Sequence, residues 1–421
     1  MQLLIGSKAH EAIERDLQDG PSAVRRPPHS LRDSRWKNVI PERRFCTLKE
    51  GVALKGRGTF GKAPVQIILK PYHEDRNPIF FDGDHEIPMD IDHLRRGLMR
   101  CLALEGEKGR RLEIVEHIIS LMGAFRLNVD VIVQAHGRKP LLGRLINWAA
   151  GAGNSFPSFP ECNGPFIDAI HEVGIRKLKH PDRPVATVKE PVYMGFKRGS
   201  ISFEPPRDGE EDHMILSNRV NYPQCSVIDD QLAEFVMNSE QYAFLARSRP
   251  PNIVSWREKL ARLVKGHKAP YFNMNRENCV IISKKGYINK DHAFDDKDGF
   301  NWEMQGHEMV DKSAIFYLLE RCLGVVLRGR WSTYRISHAE EYVFLRALWK
   351  HRDLFEHLTV PQKQPSINPL SPALQIDSRL RQASDSVLPA TESSDESALS
   401  LHHPPRSGAC PPCQKENVPR P

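Results

Sequence analysis

A histidine and an aspartate lie four residues apart at His307 and Asp311, in the segment HEMVD. Residues at i and i+4 lie on one face of a helix, a turn apart, so the imidazole and the carboxylate can supply two ligands for a divalent metal ion. The alternative is an ordinary pair on a solvated helix surface, because a chain with 18 histidines contains such spacings by chance. The pair is therefore a hypothesis that other residues must support.

A second acidic and imidazole pair, Glu116-His117, lies in a segment with helical periodicity. The apolar residues that recur there from Arg111 to Gly123 predict an amphipathic helix; they are Leu112, Val115, Ile118, Ile119 and Met122. On this helix the pair faces either a cleft or solvent. A lone histidine is more often a surface or core residue than a ligand, so the spacing leaves both interpretations open.

The elements that must position these residues form two α+β halves. In the first half we predict a hairpin over 51–71 with a Gly-rich turn, a strand over 129–133, and helices over 141–150 and 165–174. In the second half we predict strands near 193–203, 214–222 and 279–283, a helical stretch over 231–245, and helices beginning near Met309 and Ile336. We expect a first α+β domain over 45–180 and a second over 181–358.

Both chain ends differ in composition from this middle part. Residues 1–44 form a basic, Pro-containing N-terminal arm, and residues 359–421 are rich in Pro, Ser, Gln and Asp, which predicts a disordered tail. The pair Cys410 and Cys413 in the tail is a lone CxxC to which we assign no function. The eight cysteines are scattered, which favours a reducing, cytoplasmic compartment, and no apolar run is long enough for a transmembrane segment.

The charge balance bears on the ligand class. The chain has 60 basic and 53 acidic side chains and a net charge of +7 over 421 residues. This mild imbalance favours an anionic ligand such as a sugar nucleotide and does not by itself indicate nucleic acid, which we do not expect as a partner. We expect a monomer.

Several short segments follow one another in a characteristic order: Thr47 to Pro71, Ile114-Val115-Glu116-His117, Asn163-Gly164-Pro165-Phe166, Ala246-Arg247-Ser248, Cys279 to Ile282, His307 to Asp311 and Ser337-His338-Ala339. In content, order and separation they resemble the motifs of the UDP-3-O-acyl-N-acetylglucosamine deacetylases of lipid A synthesis. The resemblance runs, with gaps, from about residue 45 to 350. It implies a two-domain sandwich, each half a small, mainly antiparallel sheet packed with helices, the helices of the two halves facing each other.

The resemblance also implies a metal-dependent amide hydrolase. His117, His307 and Asp311 would bind Zn²⁺ and leave one coordination position open for water. Glu116 would be the general base and His338 the general acid. The substrate would be a nucleotide sugar or acylated amino sugar that carries an N-acetyl group.

Four further residues take roles by the same resemblance. Ser248, where the family usually has threonine, would donate a hydrogen bond to the developing oxyanion. Arg247, Phe166 and Gly164 would contact the substrate.

The chain departs from the family pattern near the site. Glu308 stands where the family has a lysine, and Ile315 replaces the aspartate that orients the catalytic histidine; Phe60 interrupts the usual turn, and Asn163 replaces an aspartate. Residues 138–159 resemble an insertion that would reshape the acyl-chain passage. These changes indicate altered specificity with the metal ligands kept. The alternative is a catalytically altered or inactive paralogue that acts as a binding or regulatory protein.

Overall fold

The computed structural model describes most of the chain up to residue 358. The described residues are 2–21, 23–59, 64–74, 76–97, 101–135, 154–157, 159–222, 228–253, 277–283, 286–289, 300 and 302–358. Residues 1–361 form one compact unit by their contacts. The helix predicted at 141–150, most of the insertion and the C-terminal tail lie outside the described residues. The division into two domains near residue 180 stays a prediction.

The described part of the first half contains short strands and three α-helices. They are β1 (Leu4–Ile5), α1 (Ser7–Gln18), β2 (Val24–Arg25), β3 (Cys46–Leu48), β4 (Val52–Arg57), β5 (Pro64–Pro71), β6 (Ile79–Asp82), β7 (His85–Pro88), β8 (Leu94–Arg96), β9 (Leu102–Glu105), β10 (Arg111–Glu113), α2 (Glu116–Ala124), β11 (Val129–Ala135), β12 (Asn154–Ser155), α3 (Gly164–Val173) and β13 (Ile175–Lys177). The predicted hairpin, the strand at 129–133 and the helix at 165–174 are confirmed.

The described part of the second half has longer strands and the longest of the described helices. Its elements are β14 (Val185–Val188), β15 (Val192–Gly195), β16 (Ser200–Glu204), β17 (Met214–Tyr222), β18 (Asp229–Val236), α4 (Ser239–Leu245), β19 (Pro251–Ile253), β20 (Val280–Ser283), β21 (Gly286–Tyr287), α5 (Trp302–Leu323), β22 (Val326–Leu327), β23 (Gly329–Tyr334), α6 (His338–Lys350) and β24 (Phe355–Leu358). No helix among the described residues combines the length and apolar character that a membrane crossing requires.

Two larger sheets dominate, and most of their strand pairs are antiparallel. The five-stranded sheet has the order β4-β5-β11-β6-β7, with one parallel pair between β11 and β6. The seven-stranded sheet has the order β1-β15-β16-β23-β17-β18-β2. A four-stranded sheet, β12-β10-β9-β8, leads directly into α2. The predicted α+β class is confirmed.

Helices α2 and α5 pack closely against each other and form the centre of the structure. Gly123 on α2 lies so near the Tyr317 ring on α5 that a Cβ at this position would overlap it. One turn away, Ser120 Oγ and Ser313 Oγ form a hydrogen bond of 2.6 Å between the two helices. This close approach fixes the position of α2 relative to α5. These two helices carry the acidic and imidazole pairs selected from the sequence.

Two predicted helices have different boundaries in the structure. Residues 111–113 form β10, paired with β9, and the helix begins only at Glu116. Ile114, with a φ of 64°, redirects the chain between the two elements. Leu112 on the strand continues the helical spacing of Val115, Ile118 and Ile119, so periodicity did not separate the two elements. Helix α5 begins at Trp302, seven residues before the predicted start near Met309.

The helical stretch predicted over 231–245 is wrong in its first half. Residues 229–236 form β18, in which Leu232 to Phe235 are all buried, so the polar alternation of a one-sided strand is missing. The helix is only α4, and the Asn238 side chain caps it by accepting a 2.9 Å hydrogen bond from the Gln241 amide.

The N-terminal arm is not a separate extension. Strand β1 pairs with β15 at one edge of the seven-stranded sheet, and β2 pairs with β18 at the other edge. Between them α1 buries Ala9, Ala12 and Ile13. The Pro- and Arg-rich composition hid this short amphipathic helix, whose apolar face is small.

Candidate active site

The first turn of α2 presents Glu116 and His117 at the edge of the four-stranded sheet. Glu116 is buried, and its Oε2 accepts a 3.0 Å hydrogen bond from the Leu102 amide at the start of β9. The carboxylate is therefore held in one orientation by the sheet that precedes the helix. His117, the next residue, is partly buried and faces α5.

Helices α5 and α6 supply the remaining predicted residues. His307 and Asp311 lie one turn apart on α5, as the sequence predicts, and His338 is the first residue of α6. Ser337 caps α6 in a capping box with Glu340, whose carboxylate accepts a 2.8 Å hydrogen bond from the Ser337 amide. The cap fixes the helix start and with it the position of His338.

These side chains converge on Asp311. Its Oδ1 lies 3.1 Å from His117 Nε2, and its Oδ2 lies 3.5 Å from His307 Nε2 and 3.3 Å from His338 Nε2. His338 Nε2 is also 3.8 Å from Glu116 Oε1. The structure therefore brings together the five residues selected from the sequence for metal binding and proton transfer, while the role of each stays a prediction.

The electrostatics of this cluster differ from residue to residue. Burial raises the pKa of Glu116 and Asp311 adds to the rise, although His338 and His117 oppose it. Burial would also raise the pKa of Asp311, but His307 and His338 hold it well below its usual range. Two adjacent carboxylates thus have pKa values shifted in opposite directions, which is typical of sites where one group accepts a proton and the other stays charged.

Glu341 is a site residue that the sequence analysis missed. Its Oε2 lies 2.5 Å from His338 Nδ1, and the side chain is fully buried. Burial would lower the pKa of His338, but Glu341 and Asp311 raise it well above its ordinary value. Ile315, where a carboxylate was expected to orient His338, is packed in the core. Glu341 supplies that carboxylate from one turn further along α6, and the i,i+3 spacing was a signal for it.

The Glu308 carboxylate, which stands where a lysine was expected, has a basic partner nearby. Lys312 Nζ lies 3.5 Å from Glu308 Oε2 and 3.5 Å from Glu341 Oε1, and it donates a 3.0 Å hydrogen bond to the Ile336 carbonyl oxygen. Burial would lower the pKa of Lys312, but Glu341 and Glu308 raise it. A lysine is thus present at this side of the site, one helical turn from the position where the resemblance leads us to expect it.

A cysteine joins the cluster from the loop before α3. Cys162 Sγ lies 3.8 Å from His117 Nδ1, and Cys162, His117 and His307 together form a group whose ligand atoms all lie within 4.8 Å of one another. Burial would raise the pKa of the thiol, but His117 and His307 lower it to about 6. The site therefore contains a possible His-Cys-His metal group beside the predicted Asp311, and composition gave no reason to select Cys162.

The donor atoms present suit a divalent metal ion. His307 Nδ1 lies 3.3 Å from the Ser248 carbonyl oxygen, a contact that directs its Nε2 toward Asp311. Imidazole, carboxylate and thiolate groups within a few ångströms are the ligands that proteins use for zinc. This set fits a metal ion and explains why so many charged and polar groups are buried together.

The remaining predicted site residues lie around this cluster. Ser248 is buried next to Gly306, and its Oγ has no hydrogen-bond partner among the described residues. Phe166 lines a small cavity of about 20 Å³ together with His117 and Cys162. Arg247 lies beside Gly164 and forms ion pairs with Glu161 at 2.9 Å and Asp168 at 2.5 Å, which already neutralise its charge. Substrate contacts by Arg247, Phe166 and Gly164 stay predictions.

Comparison with known proteins adds an independent observation. Residues 46–350 match the family model of UDP-3-O-acyl N-acetylglycosamine deacetylase. Proteins named UDP-3-O-acyl-N-acetylglucosamine deacetylase are similar over most of the chain. The protein of Oleidesulfovibrio alaskensis is 22% identical over 324 residues, 73% of this chain and 90% of that protein. The protein of Wolinella succinogenes is 20% identical, over 76% and 95%. That of Photobacterium profundum is 22% identical, over 78% and 97%.

Proposed function

Because the chain belongs to the UDP-3-O-acyl N-acetylglycosamine deacetylase family, a family of amide hydrolases, we propose that it is an active zinc-dependent deacetylase. Its substrate is UDP-3-O-acyl-N-acetylglucosamine or a related N-acetylated sugar nucleotide, in the lipid A type of pathway, and the bond cleaved is the acetamide. One observation carries the proposal. The Asp311 carboxylate is contacted by the imidazoles of His117, His307 and His338 within 3.5 Å, with the Glu116 carboxylate beside them.

The residues that would hold the zinc ion are His117, His307 and Asp311. Their nitrogen and oxygen atoms are 3.1 and 3.5 Å apart, close to the roughly 3.4 Å that separates two ligands of a tetrahedral zinc ion with bonds of about 2.0–2.1 Å. Such an ion supplies Lewis acidity, which polarises the acetamide carbonyl and makes water acidic near neutral pH.

Glu116 is suited to accept a proton from the attacking water. Its carboxylate is buried and fixed by the Leu102 amide, so one oxygen is held by the sheet while the other faces the cluster. Burial raises its pKa, which brings its basicity nearer to neutral pH, where a general base works best.

His338 is suited to donate a proton to the leaving amine. The Glu341 carboxylate at Nδ1 leaves Nε2 facing Asp311 and Glu116, and the raised pKa keeps the ring protonated at neutral pH. The unpartnered Ser248 hydroxyl is available to donate a hydrogen bond to the oxyanion. Removal of one oxyanion donor typically costs about 3 kcal/mol of barrier.

The alternative is a catalytically inactive paralogue. Glu308 and Ile315 favoured it, because they remove a lysine and an orienting carboxylate that the family carries. Lys312 and Glu341 place groups of the same two types in the same surroundings, which supports retained chemistry with altered substrate contacts. A cytoplasmic, monomeric enzyme fits the proposal.

The test is acetate release from UDP-3-O-acyl-N-acetylglucosamine and a panel of N-acetylated sugar nucleotides. We expect turnover by the wild type and a loss of about 10²- to 10⁴-fold in kcat for Glu116→Gln, because the base is removed while the shape is kept. The exposed α3 substitution Glu172→Gln is the matched control and keeps full activity. A wild type that is inactive on the whole panel would contradict the proposal.

Zinc content is measured in parallel. We expect about one zinc per chain in the wild type, from the one cluster of ligands found among the described residues. The triple variant His117→Ala, His307→Ala, Asp311→Ala loses it. An unchanged zinc content in that variant would mean that the metal lies elsewhere.

A further inference from the structure

Hydrogen bonds on two sides hold the loop that carries Cys162 against the site. The next residue, Asn163, donates a 2.9 Å hydrogen bond from its side-chain Nδ2 to the His117 carbonyl oxygen on α2. Its backbone N–H donates a 3.0 Å hydrogen bond to the Ala246 carbonyl oxygen. Cys162 itself has a φ of 46°, a left-handed conformation that is uncommon for a side chain of this type. A residue held in this conformation is over-determined by its surroundings, and such positions cluster at functional sites.

The distances around the thiol match those of metal ligands. Two ligands of a tetrahedral zinc ion, one sulfur at about 2.3 Å and one nitrogen at about 2.0–2.1 Å, are roughly 3.6 Å apart. Cys162 Sγ and His117 Nδ1 are 3.8 Å apart, and His307 completes a group in which every pair of ligand atoms is within 4.8 Å. Cys162 and His307 are both buried, so the donors face each other rather than bulk solvent.

The two edges of the His117 ring face different partners. Its Nε2 lies 3.1 Å from Asp311 Oδ1, whereas its Nδ1 faces Cys162 Sγ. One metal ion binds only one nitrogen of a given imidazole. The cluster therefore offers two mutually exclusive donor sets, one completed by a carboxylate oxygen and the other by a thiolate sulfur.

We propose that Cys162 is a metal ligand, and that His117 and His307 share a divalent ion either with Asp311 or with Cys162. The sulfur-containing set selects borderline and soft ions of the zinc type, because thiolate and imidazole ligands suit them, whereas an all-oxygen site would suit magnesium or calcium. The inference rests on the proposed metal site and adds a ligand to it. It gives this chain a metal group that differs from a His-His-Asp site.

Cobalt(II) is the probe that distinguishes the two donor sets. Bound Co²⁺ gives visible ligand-field bands with any of these ligands, but a near-ultraviolet thiolate-to-cobalt charge-transfer band only when sulfur is bound. Full-length metal-free protein is titrated with Co²⁺, with the double variant Cys410→Ser, Cys413→Ser as background, because the CxxC in the tail is a second thiol source. We expect one equivalent of Co²⁺ to produce both kinds of band in this background.

Adding Cys162→Ser to the same background removes the charge-transfer band and leaves the visible bands. The matched control Cys322→Ser, at a cysteine near the end of α5, leaves both. Visible bands without a charge-transfer band in the parent protein would overturn the thiolate ligand while the metal site of the proposed function stands. Absence of cobalt binding altogether would overturn both.

X-ray absorption of the zinc-loaded Cys410→Ser, Cys413→Ser protein gives a second measurement that does not depend on the folding of a Cys162 variant. We expect a sulfur shell at about 2.3 Å in addition to nitrogen and oxygen at about 2.0–2.1 Å. A shell of nitrogen and oxygen alone would show that Cys162 and His117 share only a hydrogen bond.

Discussion

At the scale of single residues, a carboxylate and a lysine that the resemblance leads us to expect near the site are both present, but at other positions of the sequence. The carboxylate that contacts His338 comes from Glu341, on the same helix, instead of from position 315 on the neighbouring helix. The lysine comes from position 312 instead of 308, one turn further along α5. Helical geometry makes both moves possible because residues three or four apart lie on the same face.

Glu341→Gln tests whether Glu341 positions His338. The amide keeps the shape but loses the charge that raises the pKa of His338, so the protonated ring is lost at lower pH. We expect kcat to fall by about 10- to 100-fold, as for other partners that orient active-site histidines. The alkaline limb of the kcat profile should move to lower pH.

Two control variants separate this role from a merely structural one. Glu341→Asp keeps the charge and should retain more activity than Glu341→Gln, while Glu356→Gln, on the exposed part of β24, should leave the profile unchanged. An unshifted alkaline limb in Glu341→Gln would show that His338 does not titrate under the influence of this carboxylate.

The sequence could predict only those site residues that the order and spacing of motifs indicate. Glu116, His117, His307, Asp311 and His338 were selected because recognisable segments surround them, and the structure brings all five together. Cys162 was missed because its contacts depend on how a loop is presented in three dimensions, and Glu341 was missed although its i,i+3 spacing from His338 was a signal for it. No local pattern marks a buried thiol as the neighbour of a histidine 45 residues away.

At the scale of elements, the contact between α2 and α5 determines the site geometry. His117 lies on one helix and Asp311 on the other, so a change in the separation of the helices changes the 3.1 Å distance between their side chains. Gly123 and Ser120 show that the helices approach as closely as small residues allow. The boundaries of these helices were less predictable, because buried strands and buried helices share the same apolar composition.

Gly123→Ala tests this close approach. Alanine favours a helix interior by about 1 kcal/mol over glycine, so the intrinsic effect would be stabilising. Its Cβ overlaps the Tyr317 ring, however, and overpacking of this kind typically costs about 1–3 kcal/mol. We expect a net loss of stability in urea unfolding and weaker zinc retention.

Gly51→Ala is the matched control, because a Cβ there meets only ordinary contacts at 3.5 Å and beyond. It should leave zinc retention unchanged. A Gly123→Ala protein as stable as the wild type would show that α5 can shift without consequence for the site.

At the scale of the whole molecule, the first 25 residues complete the seven-stranded sheet. Strands β1 and β2 occupy its two edges, and α1 packs against β15 and leaves a cavity of about 240 Å³ lined in part by Ile13, Leu17 and Arg219. Arg219 on β17 donates a 3.1 Å hydrogen bond to the Asp16 carbonyl oxygen and a 2.6 Å bond to that of Asp19. The family match begins only at residue 46, so this addition lies outside it.

Ile13→Ala tests how much α1 stabilises the sheet. Truncating a buried isoleucine typically costs 2–5 kcal/mol, and we expect about 2 kcal/mol here because the side chain borders a cavity. Urea unfolding monitored by tryptophan fluorescence measures the loss. Lys8→Ala on the exposed face of the same helix should change stability by less than about 0.5 kcal/mol. Equal effects of the two substitutions would mean that α1 is not anchored by its buried face.

The pairing of β1 and β2 has a consequence for biosynthesis. Leu4 is opposite Tyr193, and Val24 is opposite Leu232, so each of these residues is synthesised about two hundred residues before its partner. At a translation rate of about 5–20 residues per second, strands β1 and β2 wait for about ten seconds or more before their hydrogen-bonding neighbours exist. During that interval the buried face of α1 has no sheet to cover, so this segment completes its folding only after most of the chain has been synthesised.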